Sequence, residues 1–562
     1  MTIRMSALIA ATLIFTSLPG VRADAAESAQ PGATGAEDSG GLQEIIVTAT
    51  KRNENLVKVP ISMNVYTDSA IVAAGITQPV DFLAATPNVT FIQDNAGEAY
   101  INIRGQTSVR NSDPNVAIVI DGVTLSSTKP FNQDLFDIQQ IEVLKGPQSA
   151  LYGRNAAAGA VVITTKQPTD EWEGDVVAGR GNFNTTRASG SVSGPLTDTL
   201  KISVAGSFRD TDGPFTNVTT GEKVERIEST TGRLQLRYQP DDKLTVDFRL
   251  SGHTATGGST AYNAQVVGLP IGGFPGTALD ANNTNIPFVS NVIGQGEDRF
   301  SDALLKVDYD FGFAKLTSIT ATNFLNQYFG SDSPPYLPNT GSPGATVQQY
   351  TYVDTNYSEE LRLTSRSDQR FRWQVGFYAL EFLRNQTSKI SVDNAGSLPA
   401  DNNHIAPPGA TDPTLSYDDA KYKTTSYAPF ASVQWDIIDQ LHLNAAGRYD
   451  TEKRSIREVA ADEINPLTGV SYNNCVALTG KSLGQCTTER TFEQFEPKVS
   501  LSYDLGPNAS VYASYGKGFK SGGFNPIGSR QALIGAAIAA GIPASPVYVQ
   551  DNYDKEDRKS VV

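Results

Sequence analysis

Residues 243–250 read KLTVDFRL. In an extended chain Leu244, Val246, Phe248 and Leu250 share one face, and Lys243, Thr245, Asp247 and Arg249 share the other, because successive side chains of a strand point to opposite sides. A helix would scatter both sets. The same alternation recurs in LKISVAGSF (200–208), RLQLRY (233–238), LKVDYDF (305–311), FRWQVGF (371–377), LHLNAAGRYD (441–450) and VSLSYD (499–504). Period two, with charge on one side only, marks strands whose two faces meet different surroundings.

The connections narrow the choice. Short turns fall at 195–200, 239–243, 310–314, 366–370, 436–440 and 504–509. Between them lie polar segments rich in Gly, Asn, Pro and Asp, near 252–298, 326–352, 384–420 and 455–490. A soluble sandwich rarely needs several polar loops of ~30 residues. Alternating short turns and long loops are the habit of membrane barrels, and Tyr and Phe near the strand ends suit their interfacial girdles. Residues 169–562 are therefore expected to form an antiparallel transmembrane β-barrel.

The start of the chain agrees. Arg4 precedes an apolar run over 6–18 and then small residues, so residues 1–25 read as a secretory signal peptide, cleaved after Ala23 or Ala25. Nothing later approaches the ~18 apolar residues of a spanning helix, so any membrane crossing falls to strands. Residues 26–52 read as a flexible segment. It ends in GLQEIIVTATKR (41–52), where β-branched Ile45 to Thr48 stiffen the chain. A tether that carries a ready-made strand suits addition to another protein's sheet edge. The alternative is an edge strand of the domain that follows.

That domain, 53–166, mixes helix and strand. A strand is expected over VPISMNVYT (59–67), then two short helices, the first capped by Asp68 and the second opened by Pro79. AYINIRG (99–105) and NVAIVIDGV (115–123) read as strands, DLFDIQQIEVLKGP (134–147) as a short helix and a strand, and GAVVITTK (159–166) as a strand. No helix is expected directly after Gly146-Pro147. Gly105 and the Asp121-Gly122 pair read as turns. The polar face with Arg233, Arg237, Asp247, Arg249 and Arg372 must meet water or a polar body, which places this domain inside the barrel lumen.

Composition removes other functions. Sixty acidic residues against 45 basic ones give a net charge of −15, the wrong sign for nucleic acid. His253, His404 and His442 are scattered, and Cys475 and Cys486 lack a metal-ligand spacing. In a predicted outer loop of an exported chain, the two cysteines are expected to form a disulfide. No phosphate-binding loop, H-E-x-x-H or His-based triad is present. No enzyme activity, metal or cofactor is expected.

Three stretches resemble the TonB-dependent outer-membrane receptors. EIIVTAT (44–50) resembles the TonB box. INIRGQ…NVAIVIDGV (101–123) and IEVLKGPQSALYGRNAAAGAVVITTK (141–166) resemble the plug domain. EELRLTS (359–365) and FEPKVSLSYDLGPNASVYASYGKGFKSGGFN (495–525) resemble barrel strands of the same family. The resemblance implies an α+β plug followed by a transmembrane β-barrel in the outer membrane, in contact with its lipid. It implies active import of a scarce nutrient, a ferric siderophore first, with a carbohydrate, a plant-derived compound or cobalamin behind. Glu44, Ile45, Ile46, Val47, Thr48, Ala49 and Thr50 would bind TonB, which is coupled to the inner-membrane proton gradient. Plug arginines Arg104 and Arg154 would meet barrel glutamates Glu360 and Glu496. Gly105, Asp121, Gly122, Gly146 and Gly153 would shape the plug turns. A passive porin-like channel, and a surface adhesin or enzyme, stand as readings from other classes. Family barrels have 22 strands. Roughly thirteen are expected here, and the chain closes on YDKEDRKSVV without a terminal aromatic, so a C-terminally truncated member is the expectation.

Overall fold

A computed structural model describes residues 45–93, 98–106, 108, 113–258, 288, 290–332, 346–399, 405–407, 409–460, 464–465, 470–471, 487–506, 509–524 and 552–561. The residues expected to form a signal peptide, Glu44, Cys475, Cys486 and residues 259–287 of the polar segment near 252–298 lie outside them.

The first part is small and mixed. β1 (Ile46–Val47) pairs with β2 (Glu54–Asn55). β3 (Met63–Thr67) leads into α1 (Asp68–Ala73), whose cap is Thr67 rather than Asp68: its hydroxyl accepts the Ala70 N–H. Pro79 does open α2 (Pro79–Ala85), where proline's missing N–H costs nothing. β4 (Val89–Gln93) and β5 (Ala99–Ile103) form a hairpin. β6 (Val116–Ile120), β7 (Val123–Thr124), β8 (Ile138–Lys145) and β9 (Gly159–Thr165) join β3 in a five-stranded sheet, order β3-β8-β9-β6-β7. The helix expected at 134–137 does not form; Asp137 has φ +53°, which breaks a right-handed turn. A one-turn helix, α3 (Ser149–Tyr152), does follow Gly146-Pro147, against expectation. Ile101, Ile103, Ile118, Ile141 and Val161 are buried at the centre of an ordinary apolar core.

The second part is one long sheet. Its strands are β10 (Glu173–Arg180), β11 (Thr186–Pro195), β12 (Leu200–Thr211), β13 (Ile227–Tyr238), β14 (Leu244–Gly257), β15 (Gln295–Asp310), β16 (Ala314–Asp332), β17 (Thr346–Ser365), β18 (Phe371–Val392), β19 (Thr414–Ile438) and β20 (Leu441–Glu458). After the small hairpin β21 (Ile464–Asn465) and β22 (Val470–Ser471) come β23 (Thr487–Gly506) and β24 (Ala509–Lys520). The pair β25 (Gly523–Phe524) and β26 (Asn552–Tyr553) precedes β27 (Glu556–Val561). Fourteen strands from β10 to β27 form one antiparallel meander, close to the thirteen expected. The sheet is open: β10 and β27 do not pair with each other among the described residues.

Burial in this sheet is inverted. Val204, Leu361, Val375 and Tyr427 are 46–52% exposed, while Asn356, Glu452 and Glu496 are fully buried. Apolar side chains that point away from the protein need a lipid solvent. The buried polar face curls around the first part, which it touches from Arg187 on β11 to the Phe519 N–H on β24. No helix among the described residues is long and apolar enough to cross a membrane. β19, at 25 residues, would extend ~80 Å at ~3.3 Å per residue, far beyond the hydrocarbon core. The long strands thus project past the membrane at the end that carries the long connections.

Candidate functional site at the plug–sheet boundary

The box segment is folded back on its own chain. Val47 and Ala49 are fully buried, while Ile46 is 44% exposed. The Thr48 N–H and hydroxyl both donate to Glu142 Oε1, at 2.8 and 2.9 Å. The Tyr152 hydroxyl donates to the Ala49 carbonyl at 3.1 Å. Burial pushes the Glu142 carboxyl up in pKa, although Thr48 and Gln140 donate to it. Two residues on, the chain is clipped to the sheet. Lys51 Nζ lies 2.6 Å from Glu360, and burial lowers its pKa to about 8 despite that carboxylate. Arg52 donates to the carbonyls of Ser365 and Trp373. The segment thus pairs with its own chain in the two-stranded sheet of β1 and β2, and is not an edge strand of the five-stranded plug sheet.

The expected ion-pair residues are brought to the boundary with other partners. Arg154 Nη1 meets Glu452 at 3.3 Å and Asp113 at 3.9 Å, not Glu360 or Glu496. Glu360 pairs with Lys51 and with Arg362, both at 2.6 Å. Glu496 is buried on β23 opposite Arg448 of β20. Arg104 is exposed, with φ +53°, and makes no ion pair among the described residues. Arg104 follows β5 at the open end of the β4–β5 hairpin, where its N–H donates to the Asn88 carbonyl, and it lines a small cavity with Lys498, Tyr512 and Ser514 of the wall, which offer it no carboxylate.

Gly105, Gly122, Gly146 and Gly153 have φ of +78°, +89°, +94° and +77°. At Gly153 a Cβ would stand 2.6 Å from the Arg448 guanidinium, so the turn also admits the wall's arginine. Asp121 does more than turn the chain. Its carboxylate accepts the Thr165 N–H and hydroxyl, both at 2.8 Å, and pairs with Arg249. Burial alone would raise its pKa; Arg249 and the Thr165 donors outweigh it and hold it low.

Lys51, Glu98, Asp113, Lys129, Glu142, Glu452 and Arg454 also carry the boundary, and the sequence reading did not single them out. Lys129 Nζ reaches Glu98 at 3.0 Å, and Arg454 bridges Asp113 and Glu452. Asp113 is held at about 2: burial pushes it up, but Arg454 and Arg154 overcome that.

Two cavities flank the plug. One, about 730 Å³, opens toward the long-connection end beside Lys129, Asp134, Arg187, Arg209, His253 and Tyr328. The other, about 800 Å³, lies at the short-turn end beside Lys51, Arg52, Arg237, Lys306, Asp308 and Arg362. Among the described residues no group of three or more His, Cys, Asp or Glu could hold a metal.

Residues 55–160 match the TonB-dependent Receptor Plug Domain family, and residues 247–556 match the family described as TonB dependent receptor-like, beta-barrel. The pesticin receptor of Yersinia enterocolitica is 30% identical over 522 residues, covering 91% of this chain and 67% of that protein. The pesticin receptor of Yersinia pestis is 30% identical over 206 residues, which is 35% of this chain and 30% of that protein. The matches thus span 67% and 30% of the length of these two relatives. Among solved structures, the ferric yersiniabactin uptake receptor FyuA from Yersinia pestis superposes with a TM-score of 0.67. That match, at 18% identity, covers 89% of this chain and 68% of that one, and shows the fold.

Proposed function

This chain belongs to the TonB-dependent receptor family, and from that premise we propose that the protein imports a ferric siderophore across the outer membrane, driven by TonB. The observation that carries the reading is the box segment. It is a strand-forming run, held by a few hydrogen bonds at the short-turn end, on the chain that leads into the plug. Thr48 gives two hydrogen bonds to one carboxylate, and Ile46 stays half open to solvent. Such a run can leave Glu142 and Asn55 and add to the edge of another sheet, exchanging one set of main-chain hydrogen bonds for another. Lys51 and Arg52 then mark where a pull would first meet the wall.

The siderophore reading rests on the relatives' names, on a polar cavity of about 730 Å³ at the long-connection end, and on a wall offering both signs of charge. A passive channel does not need a box, and a plug seated by buried ion pairs leaves it no open lumen.

The test uses outer-membrane-expressed protein lacking residues 45–50. Radio-iron bound to hydroxamate, catecholate and mixed-donor chelators is the probe. Surface binding of one chelate should persist while its accumulation falls to background. Accumulation that survives the deletion would favour passive entry instead.

A further inference from the structure

The two cavities lie on the same wall. The outer one is lined on β14 down to His253 and on β15 down to Phe300; the inner one begins at Arg249 and Leu304 on the same strands. Three residues lie between them on each strand, and the four-residue step makes a septum of ~13 Å. Its contents are few. Val123 of β7 packs on Leu304, Ile319 and Ala321. Arg233 donates to the Phe136 and Asp137 carbonyls and pairs with Asp137 at 3.1 Å. Arg249 joins Asp121 to Asp302.

The opposite wall, β20 to β24, is built differently. The cavity between it and the plug measures only about 20 Å³. A Cβ on Gly518 would stand 2.7 Å from the Ala157 Cα, so backbone lies against backbone. Arg154, Asp113, Glu452 and Arg454 interlock there.

We propose that the imported solute passes along the β13–β16 wall, from the outer cavity to the inner one, through a septum formed by Asp121–Val123 and Asp134–Asp137, while the plug stays seated on the β20–β24 wall. The inference deepens the import reading and rests on it. Three features favour this side. The space already present is of one size on both sides of the septum, about 730 and 800 Å³. Thr48, Lys51 and Arg52 line the inner cavity, so removing the box segment widens the lower mouth. Thr48 is also bonded to β8, which pairs with β9, which pairs with β6; β6 ends at Ile120, next to Asp121 in the septum. The passage carries Arg233, Arg249, Asp121, Asp137 and Asp302, so it suits a hydrophilic solute that can exchange hydrogen bonds with either sign, such as a compact metal chelate.

Two cysteine pairs test the route in outer-membrane-expressed protein. Asp134→Cys with Ser229→Cys ties the septum to β13, where the two side chains are 2.9 Å apart. Gln148→Cys with Lys498→Cys ties the opposite wall, where they are 2.7 Å apart. Each pair is bridged with a short bis-maleimide. The septum bridge should reduce accumulation of the radio-iron chelate at least tenfold with surface binding kept; the opposite bridge should leave accumulation within twofold of the unbridged variant. A blocking bridge on the opposite wall, or a septum bridge without effect, overturns the route. A parent protein that binds but never accumulates any chelate sinks the import reading itself. Single Val123→Cys supplies a measurement that no bridge can distort: a membrane-impermeant maleimide should label it only in energised cells given chelate, and equal labelling without energy overturns the route.

Discussion

The plug and the sheet follow opposite burial rules within one chain. In the plug, Ile101, Ile118 and Ile141 are at most 2% exposed, as in any water-soluble domain. In the sheet, Glu452 and Gln374 are at most 1% exposed, and Trp435, Val499 and Val511 are 43–53% exposed. The difference teaches what each surface meets. The sheet's outer face needs lipid, and its inner face needs a polar body. The plug supplies that body with charged groups at its rim and keeps its aliphatic side chains for its own centre. The boundary is therefore largely polar, with apolar contact across it where Phe300 and Leu325 of the sheet pack into the plug's main core and where Val123 packs on Leu304, Ile319 and Ala321. Its polar stretches can part without exposing a core, which the apolar ones cannot.

The comparison breaks most readily at the buried charges. Glu452 is fully buried and carries both Arg154 and Arg454. Glu452→Ala leaves two guanidiniums facing Asp113 alone, and losing one partner of a buried pair costs about 3–5 kcal/mol. The expected outcome is a lower urea midpoint in detergent and faster hydrogen exchange over residues 152–158, with the core around Ile141 still protected. Unchanged exchange would mean that the plug is held by its apolar contacts, and the contrast drawn above would fail.

Asp113 sharpens the same point through pH. Its pKa of about 2 lies below the ordinary 3.8, so its stabilisation is complete above about pH 4 and is lost as pH falls through about 2. That difference corresponds to roughly 2 kcal/mol. Exchange at the residues around Asp113 should therefore accelerate between pH 4 and pH 2, and Asp113→Asn should remove the step. A step centred above pH 5 would assign the transition to another group.

Much of this was legible in the sequence, for reasons that also explain what was not. The sheet's register follows from period two: Leu244 to Leu250 turned outward and Asp247 and Arg249 inward, as the alternation required. The six short turns fall where they were expected. Strand length was not readable. Beyond the lipid neither face must be apolar, so β18 and β19 run on, over 22 and 25 residues, through stretches that look like loop. The ion-pair partners were also out of reach, since Arg154 and Glu452 lie 298 residues apart and several acids line each strand. α3 is a single turn between Pro147 and Gly153, too short to show a period. The box was recognisable as a strand, but its present partner, β2, is a two-residue strand in the stretch before Val59, where no strand was expected.

The weakest expected effect completes the contrast. Lys423 and Glu381 pair at 2.6 Å on neighbouring strands, yet their side chains are 51% and 41% exposed. Water screens both, and fixing two long side chains has an entropic cost, so such a pair contributes less than about 0.5 kcal/mol. Lys423→Ala should leave the urea midpoint in detergent unchanged within error, beside the large loss at Glu452. Distance alone does not separate the two pairs, since the exposed one is shorter by geometry than Arg154 to Glu452 at 3.3 Å. Solvent does. If Lys423→Ala destabilised as much as Glu452→Ala, then burial against the plug would not be what gives the boundary charges their weight.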